Sequence, residues 1–143
     1  MYFQELDSDQ RRELVNTQQR YLAWKRAEAE RARFKGSMVW NADKGIEYLV
    51  RSDYDKKTGI RRQRSLGRRS PATEEQKRQF DDGRDKARTR HAEIEAVLKR
   101  QAALNRAVGL GRVPLLGARI IRALGSAGLL GTSIRIVGTN AIY

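Results

Sequence analysis

The residues with the most distinctive chemistry are five arginines that lie within nine positions, with no acidic residue among them. They are Arg61, Arg62, Arg64, Arg68 and Arg69, in the segment IRRQRSLGRR. A guanidinium group can donate two parallel hydrogen bonds to the oxygens of one phosphate, and an arginine without a nearby carboxylate is free to do so. The cluster therefore predicts contact with a phosphate backbone. The alternative is a solvated edge strand whose charges prevent aggregation.

Aromatic and basic residues before this cluster extend the predicted site. Trp40, Tyr48 and Arg51 precede it, and Tyr54 is a further residue that could stack on an unpaired base. Such stacking is typical of proteins that bind RNA or single strands. We therefore expect Trp40, Tyr48, Arg51 and the five arginines to contact nucleic acid, either RNA or DNA.

A second candidate site lies near the C-terminus, where Gly138, Thr139 and Asn140 follow a strand predicted over 133–137. Glycine lets the backbone approach a phosphate closely, while a helix N-terminus and a threonine hydroxyl supply hydrogen-bond donors. These three residues are the candidate nucleotide-binding residues. A plain strand-to-helix turn is the alternative interpretation.

Other kinds of chemistry have few residues to support them. The 143 residues include no cysteine and a single histidine, which excludes a disulfide framework, a thiol nucleophile and a histidine metal cluster. We interpret His91 as a surface histidine, and Asp81, Asp82 and Asp85 as ion-pair partners of nearby basic residues on a helix surface. The sequence thus predicts no catalytic residue, no metal ligand and no cofactor within this chain.

The net charge and the hydropathy of the chain limit the kinds of molecule that it is expected to bind. Thirty lysines and arginines against 17 acidic residues give a formal charge of +13, which favours a polyanionic partner. No apolar run is long enough to span a bilayer, and the acidic N-terminus does not resemble a signal peptide. We expect a cytoplasmic protein with no membrane partner.

The predicted sites need a sheet and two helices to position them. Three strands are predicted at 37–41, 46–52 and 60–66, separated by residues typical of tight turns. Capping residues predict helices from about 8 to 33 and from about 71 to 106. Apolar stripes for pairing these helices are predicted at Leu14, Val15, Tyr21, Leu22 and Ala29, and at Phe80, Ala87, Ile94, Val97, Leu98 and Leu104.

The C-terminal quarter has a different composition. No acidic residue occurs from Ala96 onward, and glycines interrupt an apolar sequence. A helix is predicted over 114–127, with an apolar face of Leu116, Ile120, Ile121 and Leu124, and a strand is predicted over 133–137. We therefore expect an α+β protein in which residues 1–106 form a long antiparallel helical hairpin, with a small three-stranded antiparallel sheet (about 36–69) at its tip. A second module occupies 107–143.

Several sequence blocks resemble the N-terminal portion of a family of bacterial nucleotidyltransferase-fold proteins. They are MYFQELDSDQRRELVNTQQRY, GSMVW, YLVRS, RRQRSLGRRSP, GLGRVPLLGARIIRAL and VGTNAIY. The resemblance implies that 107–143 begins an incomplete nucleotidyltransferase-like domain with its first helix and strand. It also implies that Gly138, Thr139 and Asn140 contact nucleotide phosphates.

The same resemblance implies an activity: transfer of a nucleoside monophosphate from a nucleoside triphosphate to a hydroxyl on RNA or protein. The complete enzyme is expected to need Mg²⁺, held by an Asp-x-Asp pair beyond Tyr143 and thus supplied by the rest of the domain in the same or another chain. These 143 residues alone are then expected to be inactive.

Two further readings of the chain remain open. The sheet resembles the small three-stranded DNA-binding modules of some phage-type integrases, in its tyrosine-bearing strand, its glycine turn and its Ser-Leu-Gly end. This favours a non-enzymatic RNA- or DNA-binding module. A chain that pairs with another subunit through its helical stripes is the other alternative.

Overall fold

A computed structural model of the chain describes residues 5–55, 58–110 and 113–136. These residues form three helices and one antiparallel three-stranded sheet, so the fold class is α+β as predicted. The elements are α1 (Ser8–Arg33), β1 (Ser37–Asp43), β2 (Ile46–Asp55), β3 (Ile60–Arg68), α2 (Pro71–Ala107) and α3 (Leu115–Ser126). The long helices match their predicted bounds, whereas each strand continues for two or three residues more than predicted. None of these helices is both long and apolar enough to cross a membrane.

The chain divides into two compact units. One unit, called the sheet unit below, is Thr17–Arg100 and contains the sheet with the adjoining parts of α1 and α2. The other combines Met1–Asn16 with Gln101–Tyr143, and so includes the start of α1, the end of α2 and α3.

The core of the sheet unit lies between the sheet and α2. Met38, Leu49 and Phe80 are buried there, with Leu49 completely inaccessible, and the partly buried hydrophobic residues packed against them are Phe34, Trp40 and Leu66. A sheet of three short strands is not stable alone, so burial against a helix is what stabilises it.

Two tight connections fix how the chain enters and turns within the sheet. Gly36 has a φ of +87°, and a Cβ there would collide with the carbonyl oxygen of Ser52, so only glycine fits between α1 and β1. At the β1–β2 hairpin, Lys44 and Gly45 both have positive φ, which is the two-residue turn that suits the twist of a hairpin.

Within the sheet unit, α1 and α2 run antiparallel. The ring of Trp24 lies 5.9 Å from that of His91, while the ring of Phe34, the residue that follows α1, lies 5.8 Å from that of Phe80, which is earlier in α2. The residues of α1 that are buried or half-buried here recur every three or four positions, a spacing typical of paired helices. They include Thr17, Arg20, Trp24 and Ala27.

The prediction that the apolar stripe of α1 packs against α2 is wrong. Tyr21 is 40% exposed and Leu22 is 54% exposed, because the narrow contact with α2 is made by Trp24 and the small side chain of Ala27. On α2, Phe80 and Ala87 are buried as predicted, and both fall on one seven-residue repeat.

His91 is also placed differently from the prediction. Its side chain is buried between the helices, with Nε2 2.6 Å from Oε2 of Glu28 and the ring against Trp24. Position 91 belongs to the same face of α2 as Ala87, so its charged sequence neighbours lie on other faces of the helix. The aspartates do make ion pairs on α2, but in the described part of the chain only Arg84 of the predicted partners Arg84, Lys86 and Arg88 takes part: Asp81 pairs with Lys77 and Arg84, Asp82 with Arg78, and Asp85 with Arg84.

In the other unit, the start of α1 meets the end of α2 through polar groups. Gln101 is completely buried, and its Nε2 donates to Oε2 of Glu13 at 2.7 Å and to Oδ1 of Asn105 at 2.8 Å. Gln10 donates to the carbonyl oxygen of Val108 at 2.8 Å. Leu14 and Leu104, predicted to pack, are 38% and 49% exposed because these polar contacts occupy the interface.

The C-terminal segment contains the predicted helix, but the strand predicted over 133–137 is absent from its described residues. Helix α3 has no buried residue, and Leu116 and Ile120 on its apolar face are 70% and 51% exposed. Residues 133–136 do not form a strand, since Ile134 makes one isolated bridge with Leu130. The amides of Ser133 and Ile134 donate to the carbonyl oxygen of Leu129 instead, as in a turn, so these backbone groups are satisfied without a neighbouring strand.

Candidate nucleic-acid interface

The pairing register assigns the side chains of the sheet to two faces, because residues directly opposite each other share a face and successive residues alternate. On the packed face, Trp40 is opposite Leu49, and Met38 is opposite Arg51, which is in turn opposite Arg64. The other side, called the open face below, does not carry the buried core. It includes Val39, Asn41, Tyr48, Val50, Tyr54, Arg61, Ser65 and Arg68.

A β-bulge in β3 decides which face Arg68 occupies. Leu49 is opposite Gly67 while the next residue, Val50, is opposite Ser65, so Leu66 is an extra residue in the ladder. The insertion reverses the alternation beyond it. Leu66 therefore packs against the core, whereas Arg68 lies on the open face opposite Tyr48.

The hydrogen bonds at the start of α2 hold the backbone next to this bulge. Ser70 and Thr73 cap each other: Ser70 N donates to Oγ1 of Thr73 at 2.9 Å, and Thr73 N donates to Oγ of Ser70 at 3.3 Å. The buried Thr73 hydroxyl also lies 3.0 Å from the carbonyl oxygen of Arg68 and donates to it. The cap thus fixes the end of β3 as well as the helix start.

Two tyrosine–arginine pairs define the open face. Tyr54, which is 50% exposed, is opposite Arg61, and Tyr48 is opposite Arg68. Tyr54 is six positions after Tyr48 in β2, which corresponds to about 20 Å at ~3.3 Å per residue. Each pair places an aromatic residue and an arginine opposite each other on neighbouring strands, which suits a base and its phosphate.

The arginines of β3 differ from many arginines on the helices in having no acidic partner. Within the described residues, no carboxylate lies within 4.0 Å of the guanidinium groups of Arg61, Arg62, Arg64 or Arg68. On α1 and α2, by contrast, Arg31 pairs with Glu28 at 3.0 Å and Arg78 pairs with Glu75 at 2.6 Å. The cations of β3 are therefore available to an external anion.

Arg69 and Trp40 belong to the packing instead of the open face. Arg69 bridges Glu47 at 2.7 Å and Glu74 at 2.8 Å, and its guanidinium lies 5.1 Å from the centre of the Trp40 ring. The hydrogen bonds to Glu74 and Glu47 raise the pKa of Arg69 above its usual value. These contacts join the sheet to the first turn of α2.

Arg51 has a comparable structural role at the end of α1. Its Nη2 donates to the carbonyl oxygens of Arg33 at 3.2 Å and Lys35 at 3.3 Å, and its guanidinium lies 5.0 Å from the ring centre of Phe80. A cation at these carbonyls complements the negative end of the helix.

The eight predicted contact residues thus fall into three groups. Tyr48, Arg61 and Arg68 share the open face with Tyr54, while Arg62 and Arg64 are exposed on the other side of β3. The residues engaged in packing are Trp40, Arg51 and Arg69. Exposed Val39 and half-buried Val50 were not predicted as site residues, because only the strand register shows that they lie between the two tyrosine–arginine pairs.

The second candidate site is not described. Gly138, Thr139 and Asn140 lie outside the described residues. Among the residues that the structure does describe, there is no group of three or more histidine, aspartate or glutamate side chains placed to hold a metal ion.

Comparison with known proteins gives no relative: no protein-family model, no curated protein and no solved structure matches the chain. The resemblance to nucleotidyltransferase-fold proteins therefore stays a prediction from the sequence blocks.

Proposed function

We propose that the open face of the sheet binds nucleic acid. The observation that carries this proposal is the placement of Arg61 and Arg68 beside Tyr54 and Tyr48 on one face, with no carboxylate at ion-pair distance in the described part of the chain. Binding would release counterions from the phosphates, and the net charge of +13 would speed the encounter.

A single strand suits this face better than a duplex. An unpaired base can stack on Tyr54 or Tyr48 while its phosphate meets the neighbouring arginine, whereas the bases of a duplex are already stacked on one another. Val39 and Val50, between the two pairs, offer apolar contact without sequence-specific hydrogen bonds. We therefore expect binding that is strong at low salt and weakly dependent on sequence.

Ultraviolet cross-linking to a single-stranded RNA, followed by peptide mass spectrometry, tests this assignment. Cross-linked peptides should contain Tyr48 or Tyr54. Cross-links confined to α3, or to the exposed Tyr21 of α1, would contradict it.

We further propose, from the sequence resemblance, that the sheet unit places an acceptor for a nucleotidyltransferase. In this proposal Gly138, Thr139 and Asn140 contact the phosphates of a nucleoside triphosphate, and Mg²⁺ is held by carboxylates from the rest of the domain. Residues 96–143 include no aspartate or glutamate, so that segment cannot supply them. Nucleotide transfer should then be found for the native particle purified from its source and be absent for these 143 residues alone. Transfer by the isolated chain would contradict the proposal.

Pairing with another subunit is a second candidate function, favoured by the exposed Tyr21 and Leu22 of α1. Exposed apolar side chains that lie close together often mark an interface. Light scattering of the purified chain tests this alternative, and a monomer at high concentration would count against self-association.

A further inference from the structure

A cleft in the sheet unit presents positive charge on the side of the sheet away from the open face. It has a volume of about 490 Å³, and its lining includes Phe34, Lys35, Arg84 and Arg88 together with the ion pair of Glu28 and Arg31. The carboxylate of Glu28 is already engaged by Arg31 and His91, and Arg84 pairs with Asp81 at 3.3 Å. Within the described residues, Arg88 makes no ion pair.

The cleft is connected to Arg62 and Arg64 of β3 by two sets of contacts. Arg64 is opposite Arg51, whose guanidinium donates to the carbonyl oxygen of Lys35 and lies over Phe80, the same ring that Arg84 approaches at 5.8 Å. Arg62 is opposite Asp53, whose Oδ1 lies 3.9 Å from Nζ of Lys35. The cations of β3 and of the cleft therefore lie on one side of the sheet unit.

Strand β3 is one of the two edge strands of the sheet, and its consecutive residues Arg61 and Arg62 present cations to opposite faces of the sheet. Arg61 lies on the open face, and Arg62 lies on the cleft side. A flexible polyanion bound at Arg61 on the open face therefore reaches the cations of the cleft side after crossing the single strand β3. Arg84 and Arg88 are about 6 Å apart along α2, so the cations of the cleft side extend over a distance greater than one phosphate group.

We propose that the cleft side of the sheet unit is a second binding track for phosphate groups, and that a single nucleic-acid strand crosses the edge of β3 from the open face to Lys35 and Arg88. This rests on the proposed function, since the open face is where the strand first binds. The cleft supplies charge and not stacking, because its aromatic residue, Phe34, is packed against Gly83 and Phe80.

The test measures the binding of a fluorescent single-stranded RNA of about 20 nucleotides, longer than the ~4–16 that one small module covers. The cleft variant carries Lys35→Ala and Arg88→Ala, the open-face variant Arg61→Ala and Arg68→Ala, and the control Arg119→Ala and Arg122→Ala, which removes the same charge from exposed positions on α3. The cleft variant should bind more weakly, with the slope of log K against log salt reduced by about 0.7 for each lost phosphate contact, the value for single strands.

The possible results separate the two proposals. Weaker binding by both the cleft and open-face variants supports both. If only the open-face variant is impaired, the cleft track is wrong and the proposed function stands; if only the cleft variant is impaired, the open face is wrong. Wild-type affinity in both variants contradicts both proposals, as does an equal loss in the control. Circular dichroism of each variant checks that a loss of binding is not caused by unfolding. Amide chemical shifts at Lys35 and Arg88 that respond to inorganic phosphate and not to the RNA would indicate a small-anion site and overturn the track.

Discussion

The phenyl ring of Phe34 lies directly against the backbone of Gly83, so that a Cβ at residue 83 would be 2.5 Å from Cε1 and Cζ of the ring. Gly83 is in the middle of α2, where glycine normally costs about 1 kcal/mol relative to alanine. Its role is to admit the ring that follows α1 and packs on Phe80.

The first prediction is that Gly83→Ala destabilises the protein although it improves helix propensity. Displacing the ring of Phe34 should cost about 1–3 kcal/mol, which exceeds the propensity gain of about 1 kcal/mol. Chemical denaturation measures the effect. In a Phe34→Ala background the same substitution should stabilise by about 1 kcal/mol, because the obstacle is gone. Additive effects of the two substitutions would contradict the packing described here.

Local chemistry made the secondary structure predictable, including this helix. Ser70 and Pro71 mark the start of α2, and the residues of the two hairpin turns locate the strand ends to within two or three residues, because capping and turn geometry depend on a few adjacent side chains. The continuation of α2 through Gly83 was also expected. The reason for the glycine was not, since Phe34 is distant in sequence.

Tertiary contacts explain the predictions that failed. Tyr21 and Leu22 continue the seven-residue apolar stripe of α1, yet α2 packs on Trp24 and Ala27, and no local rule distinguishes these two faces. Strict alternation would place Arg68 with Arg62 and Arg64, and only the pairing register reveals the bulge that separates them.

A second prediction concerns the cap that anchors α2 and the end of β3. Ser70→Ala removes the acceptor for the Thr73 amide and should lower the free energy of unfolding by about 1 kcal/mol. Thr89→Ala, an exposed change in the middle of the same helix, is the control and should raise it by about 0.5 kcal/mol. Denaturant titration of both variants checks the difference, and equal effects would argue against the cap.

The third prediction is a pH dependence that involves Glu28. The hydrogen bond from Arg31 is the largest influence lowering the pKa of this carboxyl below its reference value of 4.5, and the nearby His91 lowers it further. Because the unfolded state takes up the proton first as pH falls, Glu28 stabilises the fold at neutral pH. This contribution should disappear as pH drops below about 4.5 and through the lowered pKa.

The measurement is the free energy of unfolding of wild type and Glu28→Gln between about pH 3 and pH 7, a range that covers the titration of a carboxyl group. Wild type should be more stable at the upper end, and the two curves should converge at the lower end. Glu93→Gln, at an exposed position of α2, is the control for loss of one charge. A constant difference between wild type and Glu28→Gln over this range would contradict the linkage.

The fourth prediction contrasts two adjacent arginines. Arg69→Ala should lower the thermal midpoint, because Arg69 joins Glu47 and Glu74 and covers Trp40. Arg68→Ala should leave the midpoint nearly unchanged, since its guanidinium has no acidic partner in the described part of the chain. Thermal unfolding followed by circular dichroism checks this, and a larger loss for Arg68→Ala would reverse the two roles.

The most direct test of the central claim is the salt dependence of single-stranded RNA binding for wild type and for Arg61→Ala with Arg68→Ala, followed by fluorescence anisotropy. If the open face binds the phosphate backbone, the double variant should bind more weakly and the slope of log K against log salt should fall by about 1.4, which is the loss of two contacts to a single strand. The Arg119→Ala, Arg122→Ala control should keep the wild-type slope despite the same loss of charge. Identical slopes and affinities for wild type and the open-face variant would show that nucleic acid does not bind there.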